Sequence, residues 1–415
     1  MINEIKVLTT IKFLLYLVLL GVFRSSMSDT AVIDIVVTMV IYYLFNSYFI
    51  ERDIDKLLVI AFVNIINFII IINSLPITTG IIIYTLMFLY QVLSNQFLKK
   101  HLIQEKSILI IGETEKKPGA LKLIEESGDY KGIYHFLKDD ITLFDEEIFI
   151  DFIKDRKVQE ILVLDKKLKP QVVTNILNLK VKGIKIYNYY EFFEYIRGQL
   201  HLEELDEKKL LFDHGFGVYH NQFQKQLKRT IDIILAISVA IVVAPIVVIA
   251  ILIVKVESKG PILFKQDRVG EGNQIFKMIK FRSMKLHDED AHSKYAGKKD
   301  SRITNFGKIM RKTRIDELPQ LWNVIKGEMS FVGPRAEWVK LANEYKKNIS
   351  FFPLRHTVRP GLTGWAQVNY PYGASEDDMK KKLMYDLYYV KHQTAGLDLV
   401  ILLKTACVVL LGKGQ

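Results

Sequence analysis

Lys228-Arg-Thr-Ile-Asp-Ile-Ile-Leu-Ala-Ile-Ser-Val-Ala-Ile-Val-Val-Ala-Pro-Ile-Val-Val-Ile-Ala-Ile-Leu-Ile-Val-Lys255 holds a long apolar run, Ile231 to Val254, with one charge, Asp232, and one proline, Pro245. Its length alone permits a membrane span. Bases flank both ends, however: Lys225, Lys228 and Arg229 before it, Lys255 and Lys259 after it. Whichever end crossed would break the rule that basic flanks stay on the cytoplasmic side. A re-entrant hairpin satisfies both flanks, because proline removes a helix hydrogen bond and clashes with the preceding turn, supplying a hinge at Ala244-Pro245. The other reading is a proline-kinked spanning helix. Asp232, beside Lys228 and Arg229 at the headgroup edge, reads either as a partner of one of these bases or as an unpaired interfacial charge.

Upstream, residues 11–23, 31–50, 57–75 and 77–97 are four apolar stretches of about the length of transmembrane helices, the first marginal. Arg52, Lys56, Lys99 and Lys100 lie in their connections, whereas Asn73 to Gly80 carries no base, so both ends of the bundle read as cytoplasmic, with Arg24 discordant. Ser107-Ile-Leu-Ile-Ile-Gly112 and Glu160-Ile-Leu-Val-Leu-Asp165 then read as buried strands alternating with helical stretches, which makes a small parallel α/β domain. A dinucleotide fold needs a glycine-rich turn after the first strand. Glu113-Thr-Glu-Lys-Lys-Pro-Gly119 lacks that spacing and puts acids where a pyrophosphate would sit.

The chain is 50% hydrophobic with a formal net charge of +11, and its basic excess lies wholly from Lys255 onward. Such a field suits anionic headgroups and phosphorylated substrates. Nucleic acid would fit the charge equally, but the membrane segments make it the weaker choice. The single cysteine, Cys407, excludes an internal disulfide and fits a reducing compartment.

Downstream, Arg311-Lys-Thr-Arg-Ile-Asp-Glu-Leu-Pro-Gln320 places two adjacent carboxylates, Asp316 and Glu317, among cations. A carboxylate that attacks phosphorus needs a neighbour to hold a metal and arginines to neutralise the phosphate oxygens. Arg311 and Arg314, three residues apart, share one side of a helix. Gly260 to Gly270 and Gln274 to Met284 read as extended segments, the second placing Lys280 and Arg282 on one strand face. Phe331-Val-Gly-Pro-Arg335 holds a further arginine on a turn. In Val358-Arg-Pro-Gly-Leu-Thr-Gly-Trp-Ala-Gln-Val-Asn369, Arg359 is placed to meet a phosphate. Trp365 either stacks on a ligand or anchors the loop. His356 reads as structural. Met379, Leu383, Leu387 and Val390 form an apolar helical stripe beside Lys380 to Lys382, a composition that suits a membrane surface. Residues 397–411, broken by Lys404, read as interfacial. For both, packing on the catalytic domain is the competing reading.

Together these blocks resemble the bacterial monotopic phosphoglycosyl transferases, the polyprenyl-phosphate sugar-1-phosphate transferases that begin exopolysaccharide, capsule and O-antigen assembly. The resemblance spans Lys228 to the C-terminus and rests on Lys228-Arg229 with Asp232, Pro245, Gly-Pro-Ile-Leu-Phe264, Lys-Phe-Arg-Ser-Met284, Asp316-Glu-Leu-Pro-Gln320, Val-Gly-Pro-Arg335 and Arg-Pro-Gly-Leu-Thr-Gly-Trp-Ala-Gln-Val-Asn369. Many relatives read Gly-Pro-Arg-Pro where this chain has Ala336. The resemblance implies a membrane protein of mixed α and α/β class: a four-helix transmembrane bundle (1–100), a Rossmann-like α/β domain (101–222) and an α-rich cytoplasmic catalytic domain (223–415) with a re-entrant helix at 231–254 and interfacial helices. It implies a multi-pass protein of the bacterial inner membrane.

By the same resemblance, Asp316 attacks the sugar-linked phosphorus of a UDP-sugar and expels UMP, and polyprenyl phosphate takes the phosphosugar from the enzyme. Glu317 would bind Mg²⁺. Arg282, Arg302, Arg311, Arg314, Arg335 and Arg359, with Lys280, would contact phosphate. Lys228, Arg229, Asp232 and Pro245 would form the anchor, with membrane lipid and a second copy as partners. Two other classes remain open: a membrane-anchored nucleotide-sugar dehydratase or oxidoreductase, which needs the dinucleotide turn, and a noncatalytic scaffold for polysaccharide assembly.

Overall fold

Apolar runs become strands where the sequence places them, and the computed structural model describes residues 106–165, 167–202, 205, 222–257, 260–284, 302–371, 373 and 375–410. The four apolar stretches before residue 100 lie outside these residues. The α/β elements run in order β1 (Lys106–Ile111), α1 (Lys117–Ser127), β2 (Tyr130–Phe136), α2 (Glu146–Asp155), β3 (Val158–Val163), α3 (Pro170–Val181), β4 (Lys185–Asn188) and α4 (Tyr189–Arg197). Sequence reading missed β2. The sheet order is β2-β1-β3-β4. Where a dinucleotide turn would lie, Glu113 pairs with Lys117 at 2.8 Å.

The chain divides into two compact units. The first holds Gly128–Ile161 and Leu168–Lys185 with the residues up to Ile110, and the second holds Ile111–Ser127, Leu162–Lys167 and everything from Ile186. Within the second, helix α5 (Gln222–Glu257) is followed by β5 (Leu263–Val269), β6 (Ile275–Phe281), α6 (Asn305–Thr313), a 3₁₀ turn (Ile315–Glu317), α7 (Gln320–Lys326), β7 (Ser330–Val332) and α8 (Val339–Asn348). Then come a second 3₁₀ segment (Phe352–Thr357), β8 (Gly361–Thr363), α9 (Trp365–Asn369), α10 (Glu376–Lys391) and α11 (Ala395–Leu410).

At the expected hinge the chain stays helical: α5 is helical on both sides of Pro245 and through it. A proline's fixed φ is compatible with a helix, and the single lost hydrogen bond is absorbed locally in so long an element. Among the described residues it is the one helix long and apolar enough to cross a membrane. Along one side, Ala236 packs with Phe276, Met278 and Val324, and Ala250 and Val254 pack with Phe281 and Met310. Small side chains there let the helix approach the body, and each large apolar partner removed from water contributes roughly 1.5–3 kcal/mol. The opposite side is bare: Ile241, Val242 and Leu252 are 70%, 76% and 60% exposed.

The bases ahead of α5 face inward. Arg229 donates to the carbonyls of Val324 and Ile325, both at 2.6 Å, and so caps the C-terminal end of α7. Lys228 pairs with Asp398 of α11 at 2.6 Å and reaches the Val332 carbonyl. Asp232 accepts from the Ser330 hydroxyl and the Phe331 amide, each at 3.0 Å, and its charge also acts on Arg229. Three residues assigned to the membrane surface therefore fasten α5 to β7, α7 and α11. A buried charge needs partners more than an interfacial one does, and the start of β7 supplies them.

The apolar stripe of α10 also faces protein. Met379, Leu383 and Leu387 are buried against Leu341, Tyr345 and Phe352. Leu397, Val400, Ile401 and Leu403 of α11 are buried as well, while Leu399 is exposed.

Candidate active site

Two strand pairs and one turn build the site. β5 and β6 pair antiparallel from Leu263↔Phe281 to Val269↔Ile275. Strand alternation then puts Phe276, Met278 and Lys280 on one covered face, whereas the sequence spacing had left open whether that face is solvated. β7 and β8 pair in parallel, Ser330 with Gly361 and Val332 with Thr363, so the loop expected at residues 358–369 contains a strand and a short helix. This pairing joins Val-Gly-Pro-Arg335 to Arg-Pro-Gly-Leu-Thr-Gly364. Glycine is required at the contact: a Cβ on Gly333 would lie 2.2 Å from the Arg359 carbonyl oxygen, and one on Gly361 would lie 2.1 Å from the Gly333 nitrogen. No side chain fits between backbones so close.

Helix α6 starts at Thr304, whose hydroxyl accepts from the Gly307 amide at 2.9 Å, and ends at Arg314 in the left-handed region at φ 61°. That conformation is uncommon for a residue with a Cβ and turns the chain sharply. It delivers Ile315–Glu317 as a single 3₁₀ turn, so both carboxylates reach the same surroundings from consecutive positions.

The surroundings treat them differently. Glu317 Oε1 lies 3.3 Å from Arg335, 3.4 Å from Lys280 and 3.5 Å from Arg314. Burial alone would raise its pKa, but Arg335, Lys280 and Arg314 outweigh burial and lower it to about 2. Asp316, 7% exposed, is pushed up instead, by burial first and by the charge of Glu317 second, with Lys280, Arg311 and Arg314 opposing. Its Oδ1 is buried with no hydrogen-bond partner among the described residues. Lys280 is brought down to about 8 because burial exceeds the attraction of Glu317. One carboxylate is held as a fixed anion in a cationic nest. Its neighbour keeps a buried oxygen whose negative charge is more basic and therefore a better nucleophile.

Of the residues assigned to phosphate, Lys280, Arg314 and Arg335 meet at Glu317, and Arg311 lies near enough to act on Asp316. The other three are described by different features. Arg282, just past β6, reaches the Val254 carbonyl of α5 at 3.5 Å. Arg302 precedes α6, at the far end of that helix from the dyad. Arg359 pairs with Glu271 at 3.1 Å. Trp365 is an anchor and not a ligand platform: its indole N–H donates to the Gly198 carbonyl at 2.8 Å and its ring stacks on Tyr388. His356 is structural as expected, buried against Phe352 with Nδ1 2.9 Å from Asn273, and burial lowers its pKa to about 3.

Sequence reading missed two buried polar groups that hold the site. Asn323 accepts from the Ile279 amide and donates to the Lys277 carbonyl, binding α7 to β6. A polar amide inside Leu321 to Ile325 was the available signal. Arg355 pairs with Asp386 at 2.8 Å and donates to the Arg335 carbonyl at 3.0 Å, fixing the backbone that carries Arg335. Its partner lies 31 residues away in sequence, and no local pattern marks it.

A family model described as bacterial sugar transferase matches residues 223–412. The chain is 38% identical over 231 residues to the UDP-N-acetylgalactosamine-undecaprenyl-phosphate N-acetylgalactosaminephosphotransferase of Aeromonas hydrophila, covering 56% of this chain and 53% of that protein. It is 33% identical over 272 residues to the UDP-glucose:undecaprenyl-phosphate glucose-1-phosphate transferase of Xanthomonas campestris pv. campestris, covering 65% and 56%. The chain thus spans about half the length of these relatives. The exopolysaccharide production protein PSS of Rhizobium leguminosarum bv. phaseoli is 38% identical over 185 residues, which are 43% of this chain but 92% of that relative. A relative matched over nearly its whole length, and a family model that covers the dyad and every cation around it, make this chain a member of the bacterial sugar transferase family.

Proposed function

We propose that the protein transfers a sugar 1-phosphate from a UDP-sugar to polyprenyl phosphate and releases UMP, as the first membrane step of a surface polysaccharide. The observation that carries this reading is the split dyad: a basic, buried Asp316 beside a Glu317 ringed by Lys280, Arg314 and Arg335. An anionic nucleophile approaches an anionic diphosphate only where fixed cations offset the repulsion. Asp316 attacks the sugar-linked phosphorus, and the bond from that phosphorus to the bridging oxygen breaks, so UMP departs. A phosphate oxygen of the polyprenyl acceptor then attacks the same phosphorus, the aspartyl bond breaks and the carboxylate is restored. Arg335 and Arg314 hold phosphoryl oxygens, and Lys280 contributes charge from the β6 side.

Magnesium belongs to the same proposal. Hard divalent cations take oxygen ligands and commonly use one or two carboxylates together with substrate phosphates. The partnerless buried Oδ1 of Asp316 and the ionised Glu317 fit that donor set. When bound there, the ion would screen the diphosphate and ease departure of UMP.

The membrane setting of this reading is a shallow, re-entrant seat for α5, with residues before 100 as further anchors. Supporting it, the two ends of α5 are tied to one unit: Arg229 and Asp232 at its start, and Glu257, which accepts from the Phe306 amide at 2.9 Å, at its end. A straight span across about 30 Å of hydrocarbon would carry one end away from that unit. The bare Ile241, Val242 and Leu252 face then meets lipid, and because Ile315 and Leu318, which flank the dyad, pack in one cluster with Ala250 and Val254 of the same helix, a water-soluble donor and a lipid acceptor can meet there. Incubating the purified protein with a UDP-sugar panel, Mg²⁺ and polyprenyl phosphate tests the reaction. UMP is the product expected, and UDP would overturn the reading.

A further inference from the structure

Glu317, Gln320 and Asn323 stand at intervals of three along one helical run, because Leu318 and Pro319 continue the right-handed conformation from the 3₁₀ turn into α7. Residues so spaced share a side. The two outer members both reach β6, Glu317 through Lys280 at 3.4 Å and Asn323 through the Ile279 amide at 3.1 Å. Gln320 lies between them, one turn beyond both carboxylates, and is 3% exposed. Yet its Nε2 has no hydrogen-bond partner among the described residues. In the same turn, Asp316 Oδ1 is an equally buried acceptor without a partner. A buried amide donor left unsatisfied is unfavourable, and an apolar side chain of the same shape would fill the position better.

We propose that Gln320 is a further catalytic residue whose side-chain amide donates to a non-bridging oxygen of the phosphoryl group that Asp316 attacks. The inference rests on the transfer reaction proposed above. A neutral donor suits this position. Lys280, Arg314 and Arg335 already supply fixed charge at Glu317, and an amide adds a directed N–H without altering that balance. Its acceptor arrives with the substrate, when the phosphoryl oxygens enter the turn that holds the dyad. The hydrogen bond forms in the complex and not in the free protein, and it lowers the barrier because it strengthens as negative charge builds on that oxygen in the transition state.

The test compares the full-length protein with Gln320→Leu and Gln320→Glu, reading thermal unfolding together with the kcat and KM of UMP release. Leucine keeps the volume and removes the donor. Expected is an unfolding temperature equal to or above that of the unsubstituted protein, with kcat about tenfold to a hundredfold lower. Glutamate keeps the outline, offers no donor when ionised and should lose at least as much. An unchanged kcat in Gln320→Leu would overturn the proposal. So would a fall in unfolding temperature that accompanies the loss of rate, because the amide would then be satisfied in the free protein. UDP released by the unsubstituted protein would instead remove the transfer reading and this inference with it. UMP released equally by Gln320→Leu would remove the inference alone.

Discussion

Raising the pH from 7 to 9 should slow turnover about tenfold without loosening the fold, and Lys280 is the reason. Its ammonium is held beside Glu317 at 3.4 Å with 17% of the side chain exposed. Burial takes its pKa from 10.5 to about 8, a difference equivalent to about 3 kcal/mol against the charged form. About nine-tenths of Lys280 is then charged at pH 7 and about one-tenth at pH 9. If the charge is needed at the phosphoryl group, the rate of UMP release falls about tenfold for each pH unit above 8. Stability moves the other way. Between pH 8 and 10.5 the unfolded chain binds more protons at this lysine than the folded chain does, so its contribution to stability grows with pH by up to about 3 kcal/mol. The assay is a pH–rate profile paired with thermal unfolding at each pH, repeated on Lys280→Arg. A guanidinium stays charged throughout, so whatever activity that variant keeps should be level from pH 7 to 9. A native profile flat to pH 10, or a Lys280→Arg profile that still falls near 8, would refute the reasoning.

Other perturbations give equally direct outcomes. Gly333→Ala drives a Cβ to 2.2 Å from the Arg359 carbonyl, so β7 and β8 must part. A cost of about 3 kcal/mol or more is expected in unfolding, with activity lost as Arg335 moves off Glu317. Arg229→Ala uncaps α7 by removing two hydrogen bonds at 2.6 Å, and should lower stability by about 2 kcal/mol or more while Arg229→Lys recovers part of it; an unchanged unfolding temperature would return Arg229 to the headgroup role. Trp365→Phe leaves the Gly198 carbonyl unpaired and should cost about 1–3 kcal/mol with KM for the donor unchanged. A raised KM would restore the ligand-stacking reading.

Periodic features were legible in the sequence and pairings across space were not. Two-residue alternation showed which face of β6 carries Lys280 but not that the face is covered, and the cations around Asp316-Glu317 drew attention to that turn before any geometry was available. The inward roles of Lys228, Arg229 and Asp232 escaped, because a base beside an apolar run reads as a headgroup contact until its carbonyl partners are seen 95 to 104 residues later. The ion pair of Arg359 is equally invisible to local reading, since Glu271 lies 88 residues away. The stripe of α10 shows where periodicity stops. Met379, Leu383 and Leu387 fix an apolar face, but a face packed on Tyr345 and Phe352 has the same spacing as one laid on lipid. The glycines of the β7–β8 contact are legible only in hindsight, since a tight backbone approach leaves no signal beyond the residue type.

The claim on which the rest depends is that Asp316 becomes covalently attached to the phosphosugar. Incubating the purified protein with a UDP-sugar radiolabelled in the phosphate next to the sugar, without acceptor, and mapping the label by proteolysis and mass spectrometry tests it directly. The account predicts label on the peptide that contains Asp316, its release on adding polyprenyl phosphate, and none in Asp316→Asn. Label that persists in Asp316→Asn, or lies on another residue, would contradict it.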